Sequence, residues 1–248
     1  MCTLTVVPCG PGALRLAFNR DEQRTRAPGA PPQLRRSGSR SAVWPTDPAS
    51  GGTWLAVNDA GLVLAVLNVN PTHPPGARRR MQSRGAIVPM LLGEESPAAV
   101  LAVVDRALDF PLFAPFRLVL VGQGVVADVR WDGYEPMTMS RLVGGAPRMF
   151  TSSGLGDARV EDVRRELFEE LFAGAPETWD AAQVAFHCHR WPGREHLSVN
   201  MSREDARTVS HSVIDVSPTD VAFRYLADAP DAPGERVTVH LPLVGGAR

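Results

Sequence analysis

The chain of 248 residues is predicted to adopt an α+β fold, with antiparallel sheets and helices packed on their outer faces. Three observations predict this. Strand-like segments occupy both ends of the chain, helical periodicity is grouped between them, and the first strands are joined by hairpin-type turns rich in Gly, Pro, Asn and Asp.

Residues 2–8 form the first expected strand, and Pro8, Gly10, Pro11 and Gly12 turn the chain into a second over 13–20. That hairpin brings Asn19-Arg20-Asp21-Glu22 back beside Cys2. Residues 23–51 are rich in Arg, Pro, Ser and Gly without periodicity and are expected to be a long loop. A second hairpin follows, with Thr53–Val57 and Leu62–Leu67 joined through Asn58-Asp59-Ala60-Gly61. The run Arg78-Arg79-Arg80 is expected on a solvated turn, with anion binding as the alternative.

Helical pieces are expected over 82–107, with Ser83 and Ser96 as N-caps and Pro97 in a tolerated first-turn position. Strands come next at 116–122 and 125–131, then at 137–143 and 148–152. Residues 158–173 carry Val160, Val163, Leu167, Leu171 and Phe172 at helical spacing, and a further helix is expected over 178–187. The chain returns to strands at 207–216, 219–225 and 236–243. With no repeat, heptad or low-complexity linker, 1–248 is expected to be a single domain.

A formal charge of −1 and 44% hydrophobic residues describe an ordinary globular composition, with no general attraction for nucleic acid or a membrane surface. All 26 basic residues are arginine, so lysine Schiff-base and lysine general-base chemistry are excluded. No signal peptide and no run approaching a membrane span are apparent. Cys2, Cys9 and Cys188 are an odd count without a CxxC pair, which fits thiols in a reducing cytoplasm better than a disulfide framework.

His187-Cys188-His189 and the isolated His196 and His211 do not reproduce a zinc-ligand spacing, so neither a metal nor a cofactor is called for. A phosphate-binding glycine loop, a GxGxxG turn and a GxSxG elbow are all missing. Cys2 is the candidate with chemistry. It follows a methionine that an aminopeptidase can remove before a small residue. It would then carry a thiol and an α-amine of pKa about 7.7–8.0, near enough to neutrality to accept the thiol proton. The competing reading is a small apolar residue opening a strand. A thiol nucleophile also needs positive charge, a carboxylate for the ammonium and amide donors for an oxyanion. Arg20 or Arg207, Asp21 and Asn68 are residues of those types; spacing alone leaves their convergence open.

Cys2-Thr3-Leu4, Asn19-Arg20-Asp21-Glu22, Gly51-Gly52-Thr53-Trp54-Leu55-Ala56-Val57-Asn58 with Gly61, and the block from Asp205 to Asp215 together resemble the NRDE family, that of the transport and Golgi organization protein 2. The resemblance implies an N-terminal nucleophile hydrolase-like fold, a four-layer αββα sandwich of two antiparallel sheets. The pattern is similar to penicillin V acylases and bile salt hydrolases, in which a first-strand cysteine attacks a non-peptide amide. By that similarity Cys2 is the nucleophile, Asp21 holds its amine, Arg20 and Arg207 frame the site, and Asn68 is an oxyanion donor. Asn19, Trp54, Ser152 and Ser210 are assigned to substrate binding.

Two departures stand out. Phe18 occupies the position three residues before Asp21 where those hydrolases carry arginine. Ser152 is the nearest match to their second oxyanion asparagine, within Phe150-Thr151-Ser152-Ser153-Gly154. The implied function is a cysteine amidohydrolase or acyltransferase acting on a small amide or acyl substrate. The alternative implied by the family is a non-catalytic carrier of haem or acyl lipid in the same cleft, with His73, His189 and His211 as haem-ligand candidates by residue type.

Overall fold

The computed structural model describes residues 2–71, 81–134, 138–143 and 145–244, with 138–143 as backbone only. In chain order the strands are β1 (Cys2–Gly10), β2 (Ala13–Gln23), β3 (Ala30–Ser37), β4 (Arg40–Thr46), β5 (Leu55–Asn58) and β6 (Val63–Asn68). They continue as β7 (Phe116–Gly122), β8 (Val125–Trp131), β9 (Thr138–Val143), β10 (Arg148–Ser152), β11 (Ala206–Val216), β12 (Asp220–Leu226) and β13 (Arg236–Pro242). The helices are α1 (Ile87–Leu91), α2 (Pro97–Ala107), α3 (Asp157–Leu171) and α4 (Trp179–Cys188).

Two antiparallel sheets result. One has the order β10-β1-β2-β11-β12-β13, the other β3-β4-β5-β6-β7-β8-β9. Strand alternation sends Leu4, Val6, Leu16, Phe18, Ile214 and Phe223 inward from the first sheet, against Leu55, Val57, Ala65, Leu67 and Val119 of the second. On the far side of the second sheet Leu64, Leu118 and Leu120 pack under Val88 and Leu91 of α1 and Val100 and Val104 of α2. On the far side of the first, Val7 packs against Leu167 of α3 and Phe186 of α4. The layers therefore run helix, sheet, sheet, helix, the αββα sandwich of the N-terminal nucleophile hydrolase fold.

The element boundaries follow the sequence expectation closely, with one correction. Residues 23–51 are not a long loop, because β3 and β4 pair within them. Proline and arginine hide this strand from pattern reading. β3 is an edge strand, so Pro31 and Pro32 fall at its register shift between Ala30 and Gln33 and its alternate side chains face water. Both expected serine caps form: Ser83 Oγ accepts from Gly85 N, and Ser96 Oγ from Ala99 N.

Candidate functional site

The β1 ladder aligns the chemistry. Cys2 stands opposite Arg20 on β2 and opposite Ser152 on β10, and Arg20 stands opposite Ser210 on β11. At this end of the sandwich a cleft of about 210 Å³ is lined by Cys2, Arg20, Asp21, Trp54, Asn68 and Arg84, among others. Cys2, Arg20, Asp21, Trp54 and Asn68 are site candidates from the sequence; Arg84 is not.

Cys2 is 9% exposed. Burial pushes its thiol pKa up. The chain's amino terminus opposes that, Asp21 adds to it, and Arg20 and a backbone hydrogen bond from Asp21 oppose it again. The resting group is therefore the thiol, and an attack needs a base to take its proton. Asp21 is buried, and Thr208 Oγ1 donates to its Oδ1 at 2.7 Å. Burial raises the Asp21 pKa, against the lowering effects of Arg164, the amino terminus and Thr208.

Arg20 donates to Asp47 Oδ2 at 2.8 Å and to Glu22 Oε2 at 3.3 Å, and its guanidinium lies 4.3 Å from the centroid of the Trp54 ring. Arg26 joins the same two carboxylates, at 2.8 Å from Asp47 and 3.4 Å from Glu22. Burial pushes the Asp47 carboxyl up, but hydrogen bonds from Arg26 and Ala49 and the two arginine charges hold it below its ordinary value.

Four assigned residues lie elsewhere. Arg207 does not line this cleft; it borders a separate cavity with Arg24 and pairs with Asp228 at 2.5 Å. Its neighbour Thr208, opposite Asp21, is the one that reaches the carboxylate. Asn19 points to the helix-covered side, where its Nδ2 donates to the carbonyls of His187 and Val199 and its Oδ1 meets His187 Nδ1 and His211 Nδ1. Ser210 is buried opposite Arg20 and is not part of the cleft lining. Ser152 Oγ accepts a hydrogen bond from Cys2 N at 3.1 Å, so its lone pair is directed at that backbone nitrogen.

Two of the three haem-ligand candidates are engaged by neighbouring side chains. His211 is tied to Asn19, His189 meets Trp191 edge-on with ring centroids 4.6 Å apart, and His73, like Arg78-Arg79-Arg80, lies outside the described residues. Among the described residues no cluster of His, Cys, Asp or Glu is arranged to hold a metal ion. Nor is any described helix long and apolar enough to cross a membrane.

Sequence reasoning missed two arginines. Arg84 reaches the cleft from a 3-10 turn spanning Arg84–Ala86. Arg164 of α3 is 1% exposed behind β1. It donates to Thr3 Oγ1 and Thr151 Oγ1, each at 2.7 Å, to Leu197 O at 3.0 Å and to Ser198 O at 2.5 Å. Its only sequence signal was its place on the otherwise apolar stripe, four residues after Val160 and three before Leu167. Burial lowers its pKa, and Asp21 and then Cys2 counter that.

Solved structures share this architecture. Penicillin V acylase from Agrobacterium tumefaciens matches with a TM-score of 0.51 at 14% identity, over 89% of this chain and 82% of that one. A mutant of the conjugated bile acid hydrolase from Clostridium perfringens matches at 0.57 and 12%, over 96% and 92%. The N-acylethanolamine-hydrolyzing acid amidase ortholog of Caenorhabditis elegans matches at 0.54 and 13%, over 93% and 94%. At these identities the likeness concerns the fold alone. No curated protein matches by sequence. The family model for Transport and Golgi organisation 2 matches residues 1–135, more than half of the 248, and the chain belongs to that family.

Proposed function

We propose that the protein is a cysteine amidohydrolase, or a related acyltransferase, that uses Cys2 after removal of Met1 on a small non-peptide amide or acyl substrate. The observation that carries this reading is the shared cleft of Cys2, Asp21, Arg20 and Asn68. The freed α-amine of Cys2 takes the thiol proton while sulfur attacks the substrate carbonyl. Ser152 Oγ and the Asp21 carboxylate hold that amine, and the Asn68 side-chain amide is the oxyanion donor. Collapse of the tetrahedral adduct breaks the C–N bond, and the leaving amine takes the proton back from the ammonium. Water then hydrolyses the thioester, or an acceptor amine or alcohol takes the acyl group. Arg20 is held by Asp47 and Glu22 over Trp54, and forms a fixed positive wall beside the sulfur. The reducing cytoplasm expected from composition suits a mechanism that needs a free thiol, and all three cysteines are unpaired.

A trapping experiment tests the reading. Protein of verified amino terminus is incubated with a short p-nitrophenyl ester and its intact mass is followed. A transient acyl adduct that maps to Cys2 and is lost in Cys2→Ala is the expected result. Acylation that ignores Cys2→Ala would sink it.

A cavity of about 670 Å³ favours a second reading, carriage of an acyl lipid. It is lined by Val6, Leu14, Val121, Val126 and Val216 at the end of the sheets away from Cys2. Its volume falls in the range of small-molecule pockets. Haem has no comparable support among the described residues. Binding of a fatty acid unaffected by Cys2→Ala, with no acyl adduct, is the outcome that would prefer carriage.

A further inference from the structure

We propose that Arg84 is the anion-recognising group of the Cys2 cleft, so that the substrate carries a carboxylate or a group of like charge beside the bond that Cys2 attacks. This rests on the reading of the cleft as a substrate site. The argument begins with charge balance. Arg20 and Arg26 are both engaged by Asp47 and Glu22, at 2.8–3.4 Å. Arg84 differs: among the described residues no carboxylate forms an ion pair with it, and its hydrogen bond is a single one, from Nη1 to Pro115 O at 3.0 Å. Its Nε and Nη2 remain, and they form the edge of the guanidinium that grips a carboxylate with two parallel hydrogen bonds.

Arg84 is also held in position before any ligand arrives. Thr53 N donates to Gly85 O at 3.0 Å, and Gly85 N donates to Ser83 Oγ at 3.2 Å, so the backbone on its C-terminal side is clamped to the cleft wall. A Cβ on Gly52 would come within 2.5 Å of the Gly85 carbonyl carbon, and only glycine permits this approach. A partly buried cation on a fixed backbone loses little freedom when it binds an anion. Burial lowers the Arg84 pKa, and the charges that oppose this are Cys2 and then Glu22. The volume of about 210 Å³ suits a compact polar group better than a long acyl chain.

The competing role for Arg84 is to stabilise the Cys2 thiolate, and reagent charge separates the two. Alkylation of Cys2 by iodoacetate and by iodoacetamide is followed by peptide mapping, with exposed Cys9 as the internal reference. The iodoacetate-to-iodoacetamide rate ratio at Cys2 should exceed that at Cys9 by about tenfold, the size of one charge-assisted contact. Arg84→Gln should bring the ratio down to that of Cys9, and Arg84→Lys should keep most of it. An equal fall with both reagents in Arg84→Gln would assign the residue to the thiolate and overturn the proposal. Failure of Cys2 to react even with iodoacetamide would count against the nucleophile instead, and a second readout then decides on Arg84. Butyrate, and not butyramide, should raise the melting temperature of the unmodified protein, and neither should raise that of Arg84→Gln. No difference between the two compounds overturns the anion site.

Discussion

The Cys2 backbone nitrogen donates to Ser152 Oγ at 3.1 Å, across the same ladder that sets Cys2 opposite Arg20. After loss of Met1 that nitrogen is the proposed general base. Ser152→Ala removes its acceptor without touching the sulfur. The expected outcome is a fall of about tenfold in the rate of Cys2 acylation, because an unoriented amine takes the thiol proton less efficiently. Stability should drop by only about 1 kcal/mol. Burst kinetics with an activated ester and urea unfolding check both halves. A full-rate burst in Ser152→Ala would remove serine from the mechanism.

Asp21 supplies a pH-dependent prediction. Its folded pKa is raised, chiefly by burial, so the folded state holds the proton more tightly than the unfolded chain does. Stability therefore falls as pH rises from the ordinary carboxyl range through the raised folded value, and the penalty is complete above it. Asp21→Asn keeps an oxygen for Thr208 and removes the charge. It should melt about 2–4 °C higher than the parent at pH 8, and the gain should vanish in acid where Asp21 is protonated. Acylation of Cys2 should decline in the same variant. A destabilised Asp21→Asn at pH 8 would show that the carboxylate is fully compensated by its surroundings.

On the opposite side of β2, Asn19 Oδ1 lies 3.0 Å from His187 Nδ1 and 2.8 Å from His211 Nδ1. Burial is the main cause holding both rings neutral. His211 and Arg164 add to it at His187, and Arg236 adds to it at His211, which is lowered to about 4. For a group depressed in this way, stability is fully present above the unfolded value near 6.5 and is lost as pH falls towards the folded one. His211→Gln should flatten the loss of stability between pH 6.5 and about 4, by up to about 3 kcal/mol. Urea midpoints of parent and variant across that interval provide the measurement.

Arg164 yields a stability prediction of a different kind. Arg164→Met leaves the hydroxyls of Thr3 and Thr151 and the carbonyls of Leu197 and Ser198 without the donor that now serves all four. The cost should be about 3–5 kcal/mol. Arg164→Lys restores the charge facing Asp21 but cannot reach four acceptors, and it should recover less than half of the loss. A cost below about 1 kcal/mol in Arg164→Met would mean that water or relaxation replaces the fork.

Much of this arrangement was legible in the chain. The hairpin that returns residues 19–22 to Cys2 follows from its Gly/Pro turn, and the Gly-Gly-Thr-Trp block marks the wall that holds Trp54. What the chain did not show is that Asn19, assigned to substrate binding beside Arg20 and Asp21, leaves the cleft. Side chains alternate along a strand, so Arg20 shares a face with Cys2 while Asn19 turns to the helices. Asp21 nevertheless joins the cleft lining within β2, where the β2–β11 pairing shifts between Thr208 and Ser210. A bulge of that kind leaves no mark in composition. Arg84 and Arg164 were invisible for another reason. In a chain whose 26 basic residues are all arginine, residue type does not separate a buried guanidinium from a solvated one.

The last prediction links the glycine block to the chemistry. Gly52 is not at a positive φ, so its requirement is spatial: an added methyl would meet the carbonyl carbon of Gly85 at 2.5 Å, its oxygen at 2.7 Å and its Cα at 2.8 Å. All three are backbone atoms, so no side-chain rotation relieves the contact. Gly52→Ala must push the turn carrying Ser83, Arg84 and Gly85 away from Thr53, and it should weaken the hydrogen bond from Thr53 N to Gly85 O. The expected stability cost is about 1–3 kcal/mol. The functional effect should be specific. Arg84 is displaced while Cys2, Arg20 and Asp21 stay on a sheet the contact does not touch. Iodoacetamide should therefore label Cys2 at close to the parent rate, while the preference for iodoacetate falls as it does in Arg84→Gln. Loss of both reactions together would mean that the turn supports the nucleophile itself, and the division of labour between β1 and the Arg84 turn would have to be abandoned.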